Sequence, residues 1–339
     1  MFKYTSKIML FAVCLALFVV TLGAYTRLTD AGLGCPDWPG CYGKMVLPKS
    51  GEALMTAQSS FPLIPIEKRK AWTEMSHRYA AGTLGLLILF IAFQAIIALR
   101  NKQVFPRVVP FVLLGLVFFQ AALGMWTVTL KLLPIVVMGH LLGGLSILAC
   151  LWWCHLSLNE TAQKETAQKK HRAAFKPWVA LGAVIVFCQI ALGGWVSSNY
   201  AGLSCVGFPG CNGMLVPPLD MHKAFDVMSS VGANYQGGLL DATSRMTIQF
   251  VHRIGAMVTL IYVFILSACL FFYGDSTLRK AAMVSILFVF IQFSLGVMNV
   301  VKLLPLNIAV AHNGVAALLL LSLLTLVHHV WRKGVSYGR

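Results

Sequence analysis

Long apolar runs alternate with short polar segments along the whole chain. Eight runs reach the length of about 20 residues that a helix needs to cross the hydrocarbon core of a bilayer. They cover approximately residues 8–26, 72–99, 108–130, 135–156, 177–198, 246–272, 280–300 and 307–331. The composition agrees, because 11% of the residues are charged whereas soluble domains carry about 25%. The pattern predicts an all-α integral membrane protein with eight transmembrane helices.

The charge of the polar segments predicts their side of the membrane. The formal net charge is +16, and the basic residues gather before the first run, in every second connection and after the last run. They are Lys3, Lys7, Arg100, Lys102, Arg107, Lys164, Lys169, Lys170, Arg172, Lys176, Arg279, Lys280, Arg332, Lys333 and Arg339. By the positive-inside rule these segments and both termini are cytoplasmic. We therefore expect the basic residues to orient the chain and contact membrane lipid rather than bind nucleic acid.

The first apolar run predicts an uncleaved helix. Lysines precede it as in a signal sequence, but no clear small-x-small cleavage site follows it. No Arg- and Ser-rich organelle presequence stands before it. We therefore expect a multi-pass protein of a bacterial inner membrane.

The second half of the chain repeats features of the first half. The repeated pairs are Cys35 and Cys205 at an offset of 170, His77 and His252 at 175, and His140 and His312 at 172. A near-constant offset indicates an internal duplication. Since four runs per half is an even number, both halves have the same orientation and form a parallel repeat. We predict two four-helix bundles, residues 1–158 and 177–339, joined by a cytoplasmic linker at 159–176.

Four histidines near the outer ends of the second, fourth, sixth and eighth runs are candidate ligands. They are His77, His140, His252 and His312. Ionisable groups within spans are costly and usually face the interior of a bundle. Two histidines at matching depth can supply both axial ligands of a haem iron. Interhelical hydrogen bonds, or a metal site without porphyrin that uses Glu74 as a third ligand, are the alternatives.

The residue three places before each first histidine differs between the halves. Glu74 shares a helix face with His77 and Arg78, whereas Gln249 stands at the matching place before His252. The amide keeps hydrogen bonding but cannot exchange a proton. Glu74 is therefore a candidate acid–base residue, and a structural ion pair with Arg78 is the alternative.

Four cations stand near these histidines. They are Arg78, Arg253, Lys131 and Lys302. A haem at this depth would point its propionates towards such side chains, so we predict propionate contacts. Snorkelling of long cationic side chains to the interface is the alternative.

Two pairs of cysteines fall in the outer loops, Cys35 with Cys41 and Cys205 with Cys211. The oxidising compartment outside the membrane permits disulfides, and each pair would close a short loop. Four thiolates binding zinc are the alternative.

The ordered set of motifs resembles the haem A synthase family. The set consists of Glu-x-x-His-Arg from Glu74, Gln-x-x-His-Arg from Gln249, a second histidine in each half, and Gly-Leu-Gly-Cys-Pro-Asp-Trp-Pro-Gly-Cys ending at Cys41. The resemblance covers nearly the whole chain. It implies an oxidoreductase that converts the C8 methyl group of haem O to the formyl group of haem A through successive hydroxylations.

The resemblance also implies roles for the two halves. The first half would bind the substrate haem O with His77 and His140 near its iron, and Glu74 would be essential for turnover. The second half would hold a resident haem b, ligated by His252 and His312, and both sites would lie towards the periplasmic side. Haem O synthase is the expected donor of the substrate. The electron donor is open, and a homo-oligomer is compatible with the sequence.

Two other classes of protein use some of the same features. A two-haem electron-transfer cytochrome b would need the four histidines but gains nothing from the difference between Glu74 and Gln249. A transporter built from parallel repeats would need helices broken by Gly or Pro near mid-membrane. The Gly and Pro clusters of this chain lie mainly at the outer ends of the runs.

Overall fold

The computed structural model describes residues 2–47, 50–62, 64–102, 106, 108–159, 173–228 and 230–331, with backbone alone at 2–5. Most of the predicted linker, with Lys164, Lys169, Lys170 and Arg172, lies outside the described residues. So do Arg107, Arg332, Lys333 and Arg339.

Eight long helices form the body of the protein. They are α1 (Phe2–Leu28), α3 (Lys68–Arg100), α4 (Val109–Thr129), α5 (Pro134–Leu158), α6 (Lys176–Ser198), α8 (Ala242–Tyr273), α9 (Ser276–Val301) and α10 (Leu306–Trp331). All eight are long and apolar enough to cross a membrane, which confirms the eight predicted spans. Two short helices, α2 (Gly51–Ser60) and α7 (Met221–Ala224), lie in the connections. Within the described residues the β-type pairing is limited to two isolated bridges, at Cys41 and Cys211.

Local sequence explains where several helices begin. Pro134 stands in the first turn of α5, where its missing N–H is not needed and its fixed φ suits a helix. The Asp241 carboxylate accepts a hydrogen bond from the backbone N–H of Ser244 at 2.8 Å and caps α8. Asp275 caps α9 in the same way, towards Thr277 and Leu278. An aspartate in this position satisfies backbone donors that the helix itself cannot pair.

The long helices of each half pack in a closed ring. In the first half the neighbours are α1 with α3, α3 with α4, α4 with α5 and α5 with α1. In the second half they are α6 with α8, α8 with α9, α9 with α10 and α10 with α6. Helices α3 and α5 therefore lie diagonally across the first ring, and α8 and α10 across the second.

The two rings touch through α1, α5, α6 and α10. At this contact a Cβ atom at Gly194 would lie 2.9 Å from Leu141 Cδ2, and one at Gly314 would lie 3.0 Å from Thr21 Cγ2. Glycine lets helices approach closely in lipid, where packing drives association. The helices of the two halves therefore pack closely at these two glycines.

The two disulfide loops lie at one end of the bundle, which we call the disulfide end. There the Arg27 guanidinium lies 4.0 Å from the centroid of the Tyr200 ring. The Tyr200 hydroxyl donates to Asp30 at 2.9 Å, and Arg27 donates to the Ser197 carbonyl at 2.5 Å. These contacts join the ends of α1 and α6. The long loop after α6 is tied down by a bond from the Tyr235 N–H to the Lys131 carbonyl at 3.0 Å.

Candidate functional site

His77 on α3 faces His140 on the diagonal helix α5. Their ring centroids are 6.3 Å apart, and the ring planes are inclined by 78°. Two imidazoles that share one metal ion through bonds of about 2.0 Å have ring centroids about 6 Å apart. The centroid separation of His77 and His140 therefore suits two axial ligands of one haem iron.

The second half places its histidines on the equivalent diagonal. His252 is on α8 and His312 on α10, near enough to interact electrostatically. The sequence predicted these four residues as two pairs, and the helix rings place each pair on diagonal helices.

Each histidine ring packs against a glycine of the preceding long helix. The distances from the Cβ position of the glycine to Cε1 of the ring are 3.0 Å for Gly23 and His77, 3.1 Å for Gly124 and His140, 3.2 Å for Gly193 and His252, and 3.2 Å for Gly296 and His312. A larger side chain at any of these glycines would displace its imidazole. Sequence reasoning missed them, although each follows a leucine in the same Leu-Gly dipeptide.

The ring nitrogens have unused capacity. The Nδ1 atoms of His77, His140 and His312 are buried without a hydrogen-bond partner among the described residues. Buried polar atoms normally have partners, and a metal-bound histidine donates its second ring N–H to an acceptor. Four partly buried imidazoles in two diagonal pairs, each packed against a glycine, fit as ligands of haem iron.

Glu74 is buried and held at both carboxylate oxygens. The Arg78 guanidinium donates to Oε1 at 2.5 Å, and the Cys35 backbone N–H donates to Oε2 at 2.8 Å. The ion pair that the sequence offered as an alternative is therefore present in the fold. Gln249, the matching residue, is also buried, and its amide oxygen has no hydrogen-bond partner among the described residues.

The two arginines hold the disulfide loops. Arg78 Nη1 donates to the carbonyl oxygens of Asp37 at 2.9 Å, Pro39 at 3.2 Å and Gly40. Arg253 donates to the carbonyl oxygens of Gly207 at 2.9 Å, Gly210 at 2.7 Å and Cys205. The sequence predicted the arginines near haem propionates and missed these loop contacts. A propionate contact remains a proposal.

The two lysines are exposed at the disulfide end and are not structural equivalents. The Leu132 N–H donates to the Thr127 carbonyl at 2.8 Å, and the Leu304 N–H donates to the Asn299 carbonyl at 2.7 Å. These matching turns align Leu132 with Leu304. Lys131 therefore corresponds in the structure to Leu303 and not to Lys302.

The cysteine pairs are placed as predicted. The sulfur atoms are 2.02 Å apart in Cys35–Cys41 and 2.03 Å apart in Cys205–Cys211. In the part of the chain that the structure describes, no group of three or more His, Cys, Asp or Glu side chains is arranged to hold a metal ion.

The fold and the site define a multi-pass membrane protein with paired histidines suited to haem iron. The chain belongs to the COX15-CtaA family of cytochrome oxidase assembly proteins, whose model matches residues 6–324.

Curated relatives agree over nearly the full length. A heme A synthase of Shewanella oneidensis is 45% identical over 323 residues, covering 95% of this chain and 96% of the relative. Heme A synthases of Chelativorans sp. and Granulibacter bethesdensis are 29% and 26% identical, covering 93% and 96% of this chain and 88% and 87% of the relatives. The similarity therefore extends across both halves and all eight long helices.

Proposed function

We propose that this protein is a haem A synthase, an oxidoreductase that converts haem O to haem A for cytochrome oxidase. The observation that carries the proposal is the pair His77 and His140, 6.3 Å apart across the first ring, in a chain similar to heme A synthases along its whole length. The reaction oxidises the C8 methyl group of haem O to a formyl group. The carbon gains one oxygen and loses two hydrogens, which is a four-electron oxidation. Either dioxygen, or water together with an external electron acceptor, supplies the oxygen atom and takes up the electrons.

The two halves divide the work. The first half binds substrate haem O between His77 and His140, and the second half binds haem b through His252 and His312. Bound haem b supplies electron transfer. The difference between Glu74 and Gln249 supports this division, since only the first half has a carboxylic acid at this position, where it can exchange a proton.

Glu74 accepts or donates that proton at its carboxylate. It is one helical turn before His77, so it shares the side of α3 that carries the substrate ligand. Arg78 and the Cys35 N–H hold the carboxylate in one orientation, which keeps its proton at a defined place. Glu74 is therefore also a structural partner of the first disulfide loop.

The halves are duplicated bundles with both termini in the cytoplasm of a bacterium, and the haem sites lie towards the periplasm. Repeated left-handed residues support the duplication. They are Asp30 with Tyr200, Tyr42 with Asn212, and Gly43 with Gly213, each at the offset of the cysteine loops. Haem O synthase is the donor of the substrate, and membrane lipid surrounds the helices.

Haem analysis in a host without its own haem A synthase tests the proposal. The chain is expressed with haem O synthase, and extracted haems are separated and weighed by mass spectrometry. We expect haem A, heavier than haem O by one oxygen less two hydrogens. A strain with haem O synthase alone is the control. Purified protein that contains haem b while the cells hold only haem O would instead identify a two-haem electron-transfer cytochrome.

A further inference from the structure

We propose that three glutamines position three of the haem-binding histidines, and that Val19 leaves His77 as the one axial histidine without such a residue. Gln120 would position His140, Gln189 would position His252, and Gln292 would position His312. His77 would then be the ligand that can turn away from the iron. The inference rests on the proposed function, because it assigns the exchangeable ligand to the substrate site.

The three glutamines stand at the same position on helices α4, α6 and α9. Each stands four residues before the glycine that packs on the histidine. The pairs are Gln120 with Gly124, Gln189 with Gly193, and Gln292 with Gly296, and the first helix has Val19 before Gly23. Residues four apart share a helix face. The helix that packs against a histidine therefore has an amide at this position in three cases and an isopropyl group in the fourth.

Gln120 and Gln189 make the same contact in different halves. The Gln120 amide donates to the backbone carbonyl of His140 at 2.7 Å, and the Gln189 amide donates to that of His252 at 2.9 Å. Each amide oxygen also fills the space of a missing side chain, at Gly143 or at Gly255. Both glycines stand three residues after the histidine. Two helices are thus shaped to receive the amide.

The Gln189 and Gln292 amides also reach the imidazole rings. Gln189 Nε2 lies 3.1 Å from Nδ1 of His252, and Gln292 Nε2 lies 3.2 Å from Nε2 of His312. Nδ1 carries the proton when Nε2 binds a metal, and an amide oxygen is a suitable acceptor for it. Both glutamines have an amide oxygen without a hydrogen-bond partner among the described residues. Gln189 therefore retains the capacity to restrain the His252 ring at Nδ1. The Gln292 amide contacts the nitrogen that would bind iron, so it would restrain the His312 ring only after turning its oxygen towards Nδ1.

His77 has no comparable restraint from a side-chain amide. Val19 offers no side-chain donor or acceptor. Its backbone carbonyl contacts the His77 ring, but the backbone carbonyls of Gln120 and Gln292 contact His140 and His312 in the same way. The missing side-chain amide is therefore the difference at His77. Haem O must enter the first half and haem A must leave it, whereas haem b stays in the second half. A ligand that can turn away suits the first task, and restrained ligands suit the second.

Adding an amide at Val19 tests whether its absence explains the difference between His77 and the other three histidines. Full-length Val19→Gln is purified from cells that supply haem O, and the bound haems are extracted and quantified. We expect several-fold more haem O or its oxidised products retained per protein, with haem A release lowered about 10-fold, the lower end of the effects of outer-shell changes at metal sites. Phe18→Gln is the control, because Phe18 is 55% exposed on the same helix. Wild-type retention and release in Val19→Gln would overturn the assignment of His77.

Removing an amide tests the restraint directly. The readouts are the electron paramagnetic resonance signal of the resident haem and the haem b content per protein. Gln189→Leu should shift or broaden the low-spin signal and weaken haem retention by about 10- to 100-fold. Gln189→Glu keeps an acceptor for Nδ1 but loses the donor to the His252 carbonyl, so it should restore part of that retention. If Gln189 only ties helices together, both variants will lower the yield of folded protein while the remaining protein keeps the wild-type signal.

The two proposals fail in different ways. If the chain makes no haem A, the proposed function fails, while the spectrum of Gln189→Leu still reports on the positioning of His252. If the wild type makes haem A and the spectra of the glutamine variants are unchanged, the positioning is wrong and the function stands.

Discussion

The backbone N–H of Cys35 donates a hydrogen bond to the Glu74 carboxylate at 2.8 Å, which ties the first disulfide loop to the helix that carries His77. Arg78 completes this link, because it donates to Glu74 and to carbonyl oxygens of the same loop. The acid proposed for the chemistry is thus also part of the framework of the site. Any test of Glu74 must separate these two roles.

Glu74→Gln removes the titratable proton and keeps the size and hydrogen bonding of the side chain. We expect the protein to insert and retain haem b, because Gln249 occupies the matching buried position in the second half. Haem A formation should fall about 10²-fold or more, the scale of a positioned acid or base. Haem O or a partly oxidised haem should accumulate on the protein. Extracted haems are measured against protein content.

Glu67→Gln is the matched control, because Glu67 is exposed and pairs with Lys70 at 3.0 Å. It should leave haem A formation unchanged. Loss of folded protein in Glu74→Gln would favour the ion-pair role, since Arg78 then loses a buried charged partner. Near-normal haem A output would exclude Glu74 as the catalytic acid.

Alanine variants of the histidines in the two halves should differ in their haem spectra. His252→Ala or His312→Ala should abolish the low-spin haem b signal and most activity, because each removes an axial ligand of the resident haem. His77→Ala should leave that signal largely intact while activity is lost. Optical and paramagnetic resonance spectra of purified variants provide the measurement. An unchanged low-spin signal in His252→Ala would refute the division of the halves.

Arg253→Lys should loosen the second disulfide loop. One ammonium cannot replace a guanidinium that reaches the carbonyls of Cys205, Gly207 and Gly210, and a hydrogen bond to a charged group contributes about 1.5 to 3 kcal/mol. We expect a lower thermal midpoint and faster proteolysis of the loop. Arg279→Lys is the control, because Arg279 makes one such bond, to the Gly274 carbonyl. Resident haem is quantified in the same samples, and its loss would support a propionate contact as well.

The Cys35–Cys41 disulfide should make alkylation dependent on reduction. In spheroplasts, a membrane-impermeant maleimide should label these two cysteines only after treatment with a reductant, because the loop faces the oxidising compartment. Peptide mapping by mass spectrometry distinguishes them from the unpaired cysteines of the described chain, such as Cys14 and Cys188. Labelling without reductant would contradict the pairing, and labelling only in inverted vesicles would contradict the orientation.

The sequence by itself determined the features that depend on local pattern. The eight spans follow from the length of the apolar runs, and the structure confirms all of them within the described residues. The cysteine pairs were also predictable, because each closes a loop with a sequence separation of 6. Glu74 and Arg78 were predictable as neighbours since residues four apart meet on one helix face.

The tertiary structure decided which helices meet. The sequence showed four histidines at repeated positions, but the diagonal placement of α3 and α5 depends on how four helices close into a ring. The roles of Gly23 and Gln189 depend on the same packing, because each acts on a histidine of another helix. Arg78 shows most clearly which contacts the sequence pattern does not predict. Its nearest carbonyl partners belong to residues 38 to 41 places earlier in the chain, and no periodicity along one helix relates positions that only the folded loop brings together.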